Sequence, residues 1–508
     1  MPQMTATPIP STHPARRGVR GWLTPVALSA LIVAWQLGFN SAPPQSRAPY
    51  AMSASMGLCL DAPNFFYFFY HLGAFPVGAL EVPHLGPTRA DAVAFVARHG
   101  DRLQMDFGRP TNTPRFGDYA KLFLFYPDVW LRHDPAHPSA LPFNELLFIV
   151  SLLALFWAFW REGQALLGTL LVLLVGSDPF QILEAYGRGN VFSIPISVTL
   201  LALAVHLRFL TGRRNADGPA WGIALASGAA LATLREVRPE AGFIGLSVMA
   251  AYLLVRNASP GRRTLLVTAF LAAGALTSFA WQGYWTRRFD AARLFVARAG
   301  GEVYAAPHET HHAFWHAVYC GLGDYGADRG FDWDDRRAFR WATTPDPATN
   351  PHPIPYHYTA GYYLDETYDG IHHVAPTDLP EYNRLVRERV VGEIVRHPLW
   401  YARVLTQRAA AIARDATPAC LSFGAVTLPL PGAGWLTAPL LLWFLVRRRR
   451  LEAALVLFTV PLSILPLMVY SGRGMTFYGI AHLVALAAGI DLLVRQLPGA
   501  AGRRSHDG

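Results

Sequence analysis

The feature that most constrains this chain is a series of apolar runs, recurring from Trp22 almost to Pro498, that are long enough to cross a bilayer. A hydrocarbon core of about 30 Å takes roughly 17 to 25 predominantly apolar residues in helical form. About ten runs reach or approach that length, near 22–40, 142–160, 165–177, 191–210, 219–234, 240–255, 264–284, 424–446, 451–470 and 475–494. The third is short and the fifth is rich in small residues. With 52% hydrophobic and 16% charged residues and a mean hydropathy of +0.22, the chain is too apolar for an ordinary soluble enzyme. The expected fold is all-α, a polytopic membrane bundle of about ten transmembrane helices.

Arginine placement predicts the orientation, because short Arg-rich loops stay in the cytoplasm. Arg16, Arg17 and Arg20 precede the first run. Counting from there, the connections holding Arg161, then Arg208, Arg213 and Arg214, then Arg256, Arg262 and Arg263, then Arg447 to Arg450, and the tail with Arg503 and Arg504, all fall inside. Both termini are thus expected in the cytoplasm. The net charge of +9 reads as a topology signal rather than a nucleic-acid footprint, so no nucleic-acid partner is expected. A cleaved signal peptide is the rival reading of 22–40, and it too leaves the next loop outside.

This order divides the chain into a cytoplasmic start with the first span (1–40), a first outer loop (41–141), a transmembrane bundle (142–284), a second outer domain (285–423) and C-terminal spans with a cytoplasmic tail (424–508). The inner connections are short, so chemistry is expected in the two large outer segments. Cys59, Cys320 and Cys420 all lie on that side, where one pair can be bridged and one thiol left over.

In the first loop, "DAPNFFYFFYHLGAF" from Asp61 and "DYAKLFLFYPDVWL" from Asp118 crowd aromatics beside isolated charges, as interfacial helices do. Between them, Thr88 and Asp91 predict a capping box that opens "DAVAFVARHGDRL", with Ala92, Phe95 and Val96 on one side. In the second segment a helix is predicted from Pro380, with Leu385, Val386, Val390, Ile394 and Val395 in helical period until Pro398.

"HETHHAFWHAVYCGLGDYG", from His308, contains an H-E-x-x-H match in His308, Glu309 and His312. With Pro307 in a first turn and Gly321 and Gly323 at its end, His308, His312 and His316 would share a helix face. A zinc-dependent membrane protease is therefore an alternative reading, but it needs a third ligand for which Asp365 and Glu366 are only guesses. The other readings are hydrogen-bonded structural histidines, or a helix that uses His311, His312 or His316 to hold substrate or relay a proton. In "GFDWDDRRAFRWA", Asp332, Asp334 and Asp335 read as a solvated helix start rather than a nucleotide-sugar metal site, because such donors are cytosolic.

The layout resembles the GT-C superfamily of integral-membrane glycosyltransferases. The shared features are the large first outer loop with an early acidic residue, the amphipathic helix ending in "RHPLWY", and "SGRGMTFYGIAHLVALAAGIDLL" with an arginine just outside a final span. The resemblance implies a polyprenyl-phosphate sugar donor, a glycan, lipid or protein acceptor, contact with membrane lipids, and residence in a bacterial inner membrane. It places the catalytic carboxylate at Asp61, in "CLDAPN", with Asp118 as second choice; no Asp-Glu pair stands there. No cofactor is called for, and a divalent metal is left open.

Such chemistry requires cations for the departing phosphate and a carboxylate for the acceptor's proton. Arg188, Arg235, Arg238 and Arg473 fall in short outer connections, against the positive-inside tendency, and are the candidates for the donor phosphate. Glu184, Glu236 and Glu240 are near enough in sequence to neutralise some of them. A non-enzymatic flippase or transporter of lipid-linked glycans is the remaining alternative, for which paired half-repeats would be the sign.

Overall fold

A computed structural model describes residues 19–39, 62–75, 77–79, 85–105, 141–182, 194–212, 218–237, 241–255, 258–303, 314–359, 362–368, 370–374, 376, 379–415, 419–423, 426–430, 433–463, 467–468 and 479–497, and the structural statements below concern these. The N-terminal part contains α1 (Val19–Phe39), α2 (Ala62–Leu72), β1 (Val77–Ala79), α3 (Arg89–His99) and β2 (Leu103–Met105). There follow α4 (Leu141–Arg161), α5 (Ala165–Ser177), α6 (Ile194–Leu210), α7 (Gly218–Val237), α8 (Ala241–Leu253) and α9 (Pro260–Ala299). Next come α10 (Phe314–Leu322), α11 (Asp335–Thr343), β3 (His357–Thr359), β4 (Tyr362–Tyr368), β5 (Gly370–Val374), α12 (Pro380–Arg396), α13 (Pro398–Asp415) and β6 (Ala419–Phe423). After β7 (Val426–Leu430) come α14 (Thr437–Val446), α15 (Arg450–Thr459) and α16 (Ile480–Gln496).

The architecture is predominantly helical, as the apolar runs require. Two helices are long and apolar enough by themselves to cross a membrane, Phe143–Arg161 and Pro260–Ala299; shorter apolar helices occupy Leu23–Gly38, Ala165–Ser177, Pro195–Leu210, Gly242–Leu253 and Gly434–Val446. The run expected as one span over 424–446 is helical only from Ala433, a 3-10 turn leading into α-helix at Thr437; its start is β7, paired antiparallel with β6. Pro429 and Pro431 explain the difference, since neither can donate to a helical ladder, whereas an edge strand tolerates proline. The run at 451–470 likewise leaves α-helix at Val460, one residue before Pro461.

Buried residues fall into two cores. The first is a helix bundle of α4 to α8, the start of α9, and α14 to α16, filled by Phe148, Leu155, Leu171, Leu203, Val248, Leu266, Val456 and Val484 among others. α1 is tied to it by polar bonds: Gln36 Nε2 donates to the Gly176 carbonyl at 3.0 Å, and Trp157 Nε1 donates to Ser29 Oγ at 2.9 Å. Where α7 crosses α9, a Cβ on Gly228 would lie 2.2 Å from the Phe270 carbonyl oxygen, so only glycine permits this backbone approach. The bundle is apolar outside as well: Leu31, Leu271, Leu276, Phe279 and Leu442 are all exposed.

The second core joins α2, α3, β1, β2 and the far half of α9 to α10, α11, α12 and α13. α9 serves both, giving Leu266 and Phe270 to the first and Trp285, Phe289, Ala292 and Val296 to the second. Its continuity has local causes: Ser259 caps the N-terminus, Pro260 takes the first turn where no amide partner is needed, and Gly300 ends it in the left-handed region at φ 81°. The predicted capping box forms, with Thr88 Oγ1 accepting from Asp91 N at 3.2 Å and Asp91 Oδ2 accepting from Thr88 N at 3.0 Å. Ala92 below it is buried and Phe95 and Val96 pack on the same core. α12 buries Tyr382, Val386, Arg389, Val390 and Glu393; Val395, expected inward, is exposed.

Candidate functional site

Of the residues singled out in the sequence, Asp61, Asp118, Arg188, Arg238, Arg473, His311 and His312 lie outside the described residues, as do His308 and Glu309. Arg235 and His316 are described. Arg235 sits exposed in the last turn of α7, while the carboxylate of its neighbour Glu236 is buried and accepts from Trp285 Nε1 at 3.0 Å. A second bond, Trp281 Nε1 to Thr233 Oγ1 at 3.1 Å, holds α7 against the same turns of α9.

α2, the helix that follows Asp61, and the residues just after it also reach those turns. Phe75 packs against Trp285 with ring centroids 5.9 Å apart, and Arg288 lies over Tyr284 and Phe69 at 5.3 and 5.9 Å. Arg288 Nη1 also donates to the Gly73 carbonyl at 3.5 Å. α7, with Arg235 in its last turn, and α2, which begins just after Asp61, therefore converge on α9 between Trp281 and Arg288, beyond the last bundle-core residue of that helix.

His316 lies deep in the second core, 1% exposed, with its ring stacked on Phe339 at 4.9 Å and 12°. Its Nδ1 is 2.6 Å from the Tyr382 hydroxyl of α12. Its Nε2 is 3.1 Å from Asp335 Oδ1 and 3.7 Å from Cys320 Sγ, and Cys320 Sγ is 3.6 Å from the same Asp335 oxygen. Three potential ligand atoms thus meet at one point. Cys320 is buried and present as a thiol, whereas the Asp335 side chain is 67% exposed. Helical spacing puts Cys320 one turn after His316 on the same face; Asp335 arrives because Asp334 caps α11, accepting from Arg336 N at 2.9 Å, and leaves Asp335 in its first turn. Asp332 instead pairs with Arg337, so the aspartates of the "DWDD" stretch point to separate partners and do not form one chelate.

The same core carries a buried cation. Arg389 lies between Phe331 and Trp341, its guanidinium carbon 5.1 Å from each ring centroid, and its Nη2 donates to the Arg329 carbonyl at 2.8 Å. Desolvation lowers its pKa from the usual guanidinium value. Burial pushes the neighbouring Tyr319 hydroxyl up to about 12, so it stays protonated. In the bundle, a cavity of about 450 Å³ is lined by Arg161, Glu162 and Arg208 among others, and Glu162 pairs with Arg208 at 3.2 Å.

The sequence marked His316 but not its partners. The i, i+4 spacing of His316 and Cys320 was a readable signal; Asp335 and Tyr382 come from other helices and had none. Compared with models of known families, with curated proteins and with solved structures, the chain matches none.

Proposed function

We propose that the chain is a multi-pass membrane glycosyltransferase that transfers a sugar from a polyprenyl-phosphate carrier to an acceptor outside the cytoplasm. One observation carries the reading. A helix bundle apolar on its inside and its outside adjoins a second core whose outer helices are charged, and the helices flanking Asp61 and Arg235 converge where the two meet. A helix apolar all round belongs in a protein core or in lipid, while Arg384, Arg387 and Glu388 on the outward face of α12 belong in water. A carrier lipid with a charged phosphate head needs both solvents within one molecule. In this reading the apolar helices make up about ten spans, the termini are cytoplasmic, and the membrane is the bacterial inner membrane.

Asp61 then accepts the acceptor's proton, with Asp118 as the substitute, and Arg473 with Arg188, Arg235 and Arg238 stabilises charge on the departing phosphate. His311 and His312 belong to the acceptor side of the same outer face, whereas His316, buried in the second core with both ring nitrogens engaged, is withdrawn from that role. The test is transfer from a polyprenyl-phosphate sugar by the full chain in native membranes. Asp61→Asn keeps the shape and removes the base, so turnover falls about 100-fold or more, on the order of 3 kcal/mol in the barrier. Arg473→Ala loses roughly ten- to a hundredfold, and Arg450→Ala, assigned to the opposite face, loses nothing. Normal turnover in both Asp61→Asn and Asp118→Asn ends the first-loop assignment, and absence of any transfer by the parent chain ends the reading.

A further inference from the structure

We propose that His316 Nε2, Cys320 Sγ and an Asp335 carboxylate oxygen form a binding site for zinc in the second core. The site is distinct from the H-E-x-x-H match and does not depend on the glycosyltransferase reading.

The geometry is the first argument. Zinc bonds of about 2.3 Å to sulfur and about 2.0 Å to imidazole nitrogen and carboxylate oxygen, at tetrahedral angles, set S···N and S···O near 3.5 Å and N···O near 3.3 Å. The observed edges are 3.7, 3.6 and 3.1 Å, so each lies within about 0.2 Å of one face of a zinc tetrahedron. All three atoms are mutual neighbours. Nε2–H and the thiol can both donate to the one Asp335 oxygen, and the same closed triangle is what an ion at its centre requires.

The arrangement also excludes the obvious alternative, a thiol nucleophile with a histidine base. That constellation puts the thiol on one ring nitrogen and the carboxylate on the other. Here both approach Nε2, and Nδ1 goes to the Tyr382 hydroxyl. A metal-bound imidazole uses its second nitrogen in this way: Nδ1–H donates to an acceptor that fixes the tautomer and the ring plane. Phe339, stacked on the ring, fixes the plane further.

Charge and ligand type select the ion. One thiolate and one carboxylate cancel the charge of Zn²⁺, leaving a neutral complex, and neutrality is what a buried site needs. Binding releases the Cys320 thiol proton to solvent. Magnesium and calcium prefer all-oxygen shells and would not take the thiolate and imidazole. The exposed Asp335 carboxylate gives the ion a route in from water. Once bound, the ion would clamp α10 to the first turn of α11 and, through Tyr382, to α12.

The experiment uses the full chain in detergent after chelator treatment, with cobalt(II) as the optical probe and zinc as competitor. One equivalent of cobalt should produce the near-ultraviolet band of thiolate-to-cobalt charge transfer and intense tetrahedral bands in the visible, and zinc should bleach both. Cys320→Ser should remove the charge-transfer band and weaken zinc binding at least a hundredfold, while Cys59→Ser and Cys420→Ser keep the band. Asp335→Asn should weaken binding and keep the band. Tyr382→Phe should preserve the spectrum and weaken binding about ten- to a hundredfold, as loss of a partner behind the ligand does. Zinc should raise the melting temperature of the parent chain and not that of Cys320→Ser, a readout that also shows both are folded. A chain that takes up no stoichiometric cobalt, or a charge-transfer band that survives Cys320→Ser, overturns the site.

Discussion

Replacing Arg389 by methionine keeps a long apolar stem in the slot between Phe331 and Trp341 and removes the guanidinium. What is lost can be counted from its contacts. The bond from Nη2 to the Arg329 carbonyl is short at 2.8 Å and charge-assisted, a class that contributes about 1.5 to 3 kcal/mol; the bond from Nη1 to the Thr349 carbonyl, at 3.5 Å, adds little. Two ring faces at 5.1 Å add about 0.5 to 2 kcal/mol each. Against these stands the cost of holding a cation out of water, the cost that lowers the Arg389 pKa and that methionine avoids. The lower ends of these ranges sum to about 2.5 kcal/mol, and that offsetting cost brings the net loss to about 2 kcal/mol, or about a 30-fold rise in opening of the second core. Hydrogen exchange of the α12 amides reads this opening directly, without requiring the whole membrane protein to unfold in one step. Arg389→Lys should recover less than half, because a compact ammonium lacks the planar fork that stacks on two rings while reaching the Arg329 carbonyl. Protection within threefold of the parent in both variants would refute the account of the slot.

Gly228→Ala places a methyl 2.2 Å from the Phe270 carbonyl oxygen, so α7 and α9 must separate; the expected cost is about 1 to 3 kcal/mol, seen as a lower melting temperature in detergent, and an unchanged melt would mean the helices have room to move apart. The Thr88 side-chain hydrogen bond holds the Asp91 carboxyl below its usual pKa, so the carboxylate's contribution to folding is present above about pH 4 and is lost as pH falls through the lower folded value. Amide protection in α3 should therefore decline on that acid limb in the parent and depend less on pH in Thr88→Ala, and equal slopes would count against the assignment.

Much of this architecture was legible in the sequence because lipid-like helices announce themselves residue by residue. The apolar runs that became α4, α5 and α6 needed nothing beyond composition and length, and the Thr88–Asp91 cap is a purely local contract between positions three apart. The misreadings have equally local causes. Hydrophobicity alone predicts a span over 424–446 and does not register that Pro429 and Pro431 withdraw donors from a helix. The β3–β5 sheet falls in a segment expected only as an outer domain, although "HYTAGYYLDETYDGIHHV" is rich in β-forming tyrosines and contains a D-G dipeptide, a hairpin signal in the sequence. His316 was visible as a histidine on a helix. The partners that give it a chemical character were not, because Asp335 and Tyr382 reach it through the packing of α11 and α12, and packing between helices leaves no periodic trace in a single sequence.

The undivided course of α9 has a mechanical consequence. One hydrogen-bonded ladder runs from the bundle into the second core, so the two halves cannot pivot independently about it. At 1.5 Å per residue, Val296 stands roughly 39 Å beyond Phe270 along the axis, and a tilt of about 10° at the apolar end sweeps the far end sideways by about 7 Å. Long spans answer a thinner bilayer by tilting. For a chain seated in lipid as proposed, the thickness of the surrounding membrane is thereby geared to the position of Trp285, Phe289 and everything packed upon them, and the lipid bed becomes a dial on the outer site.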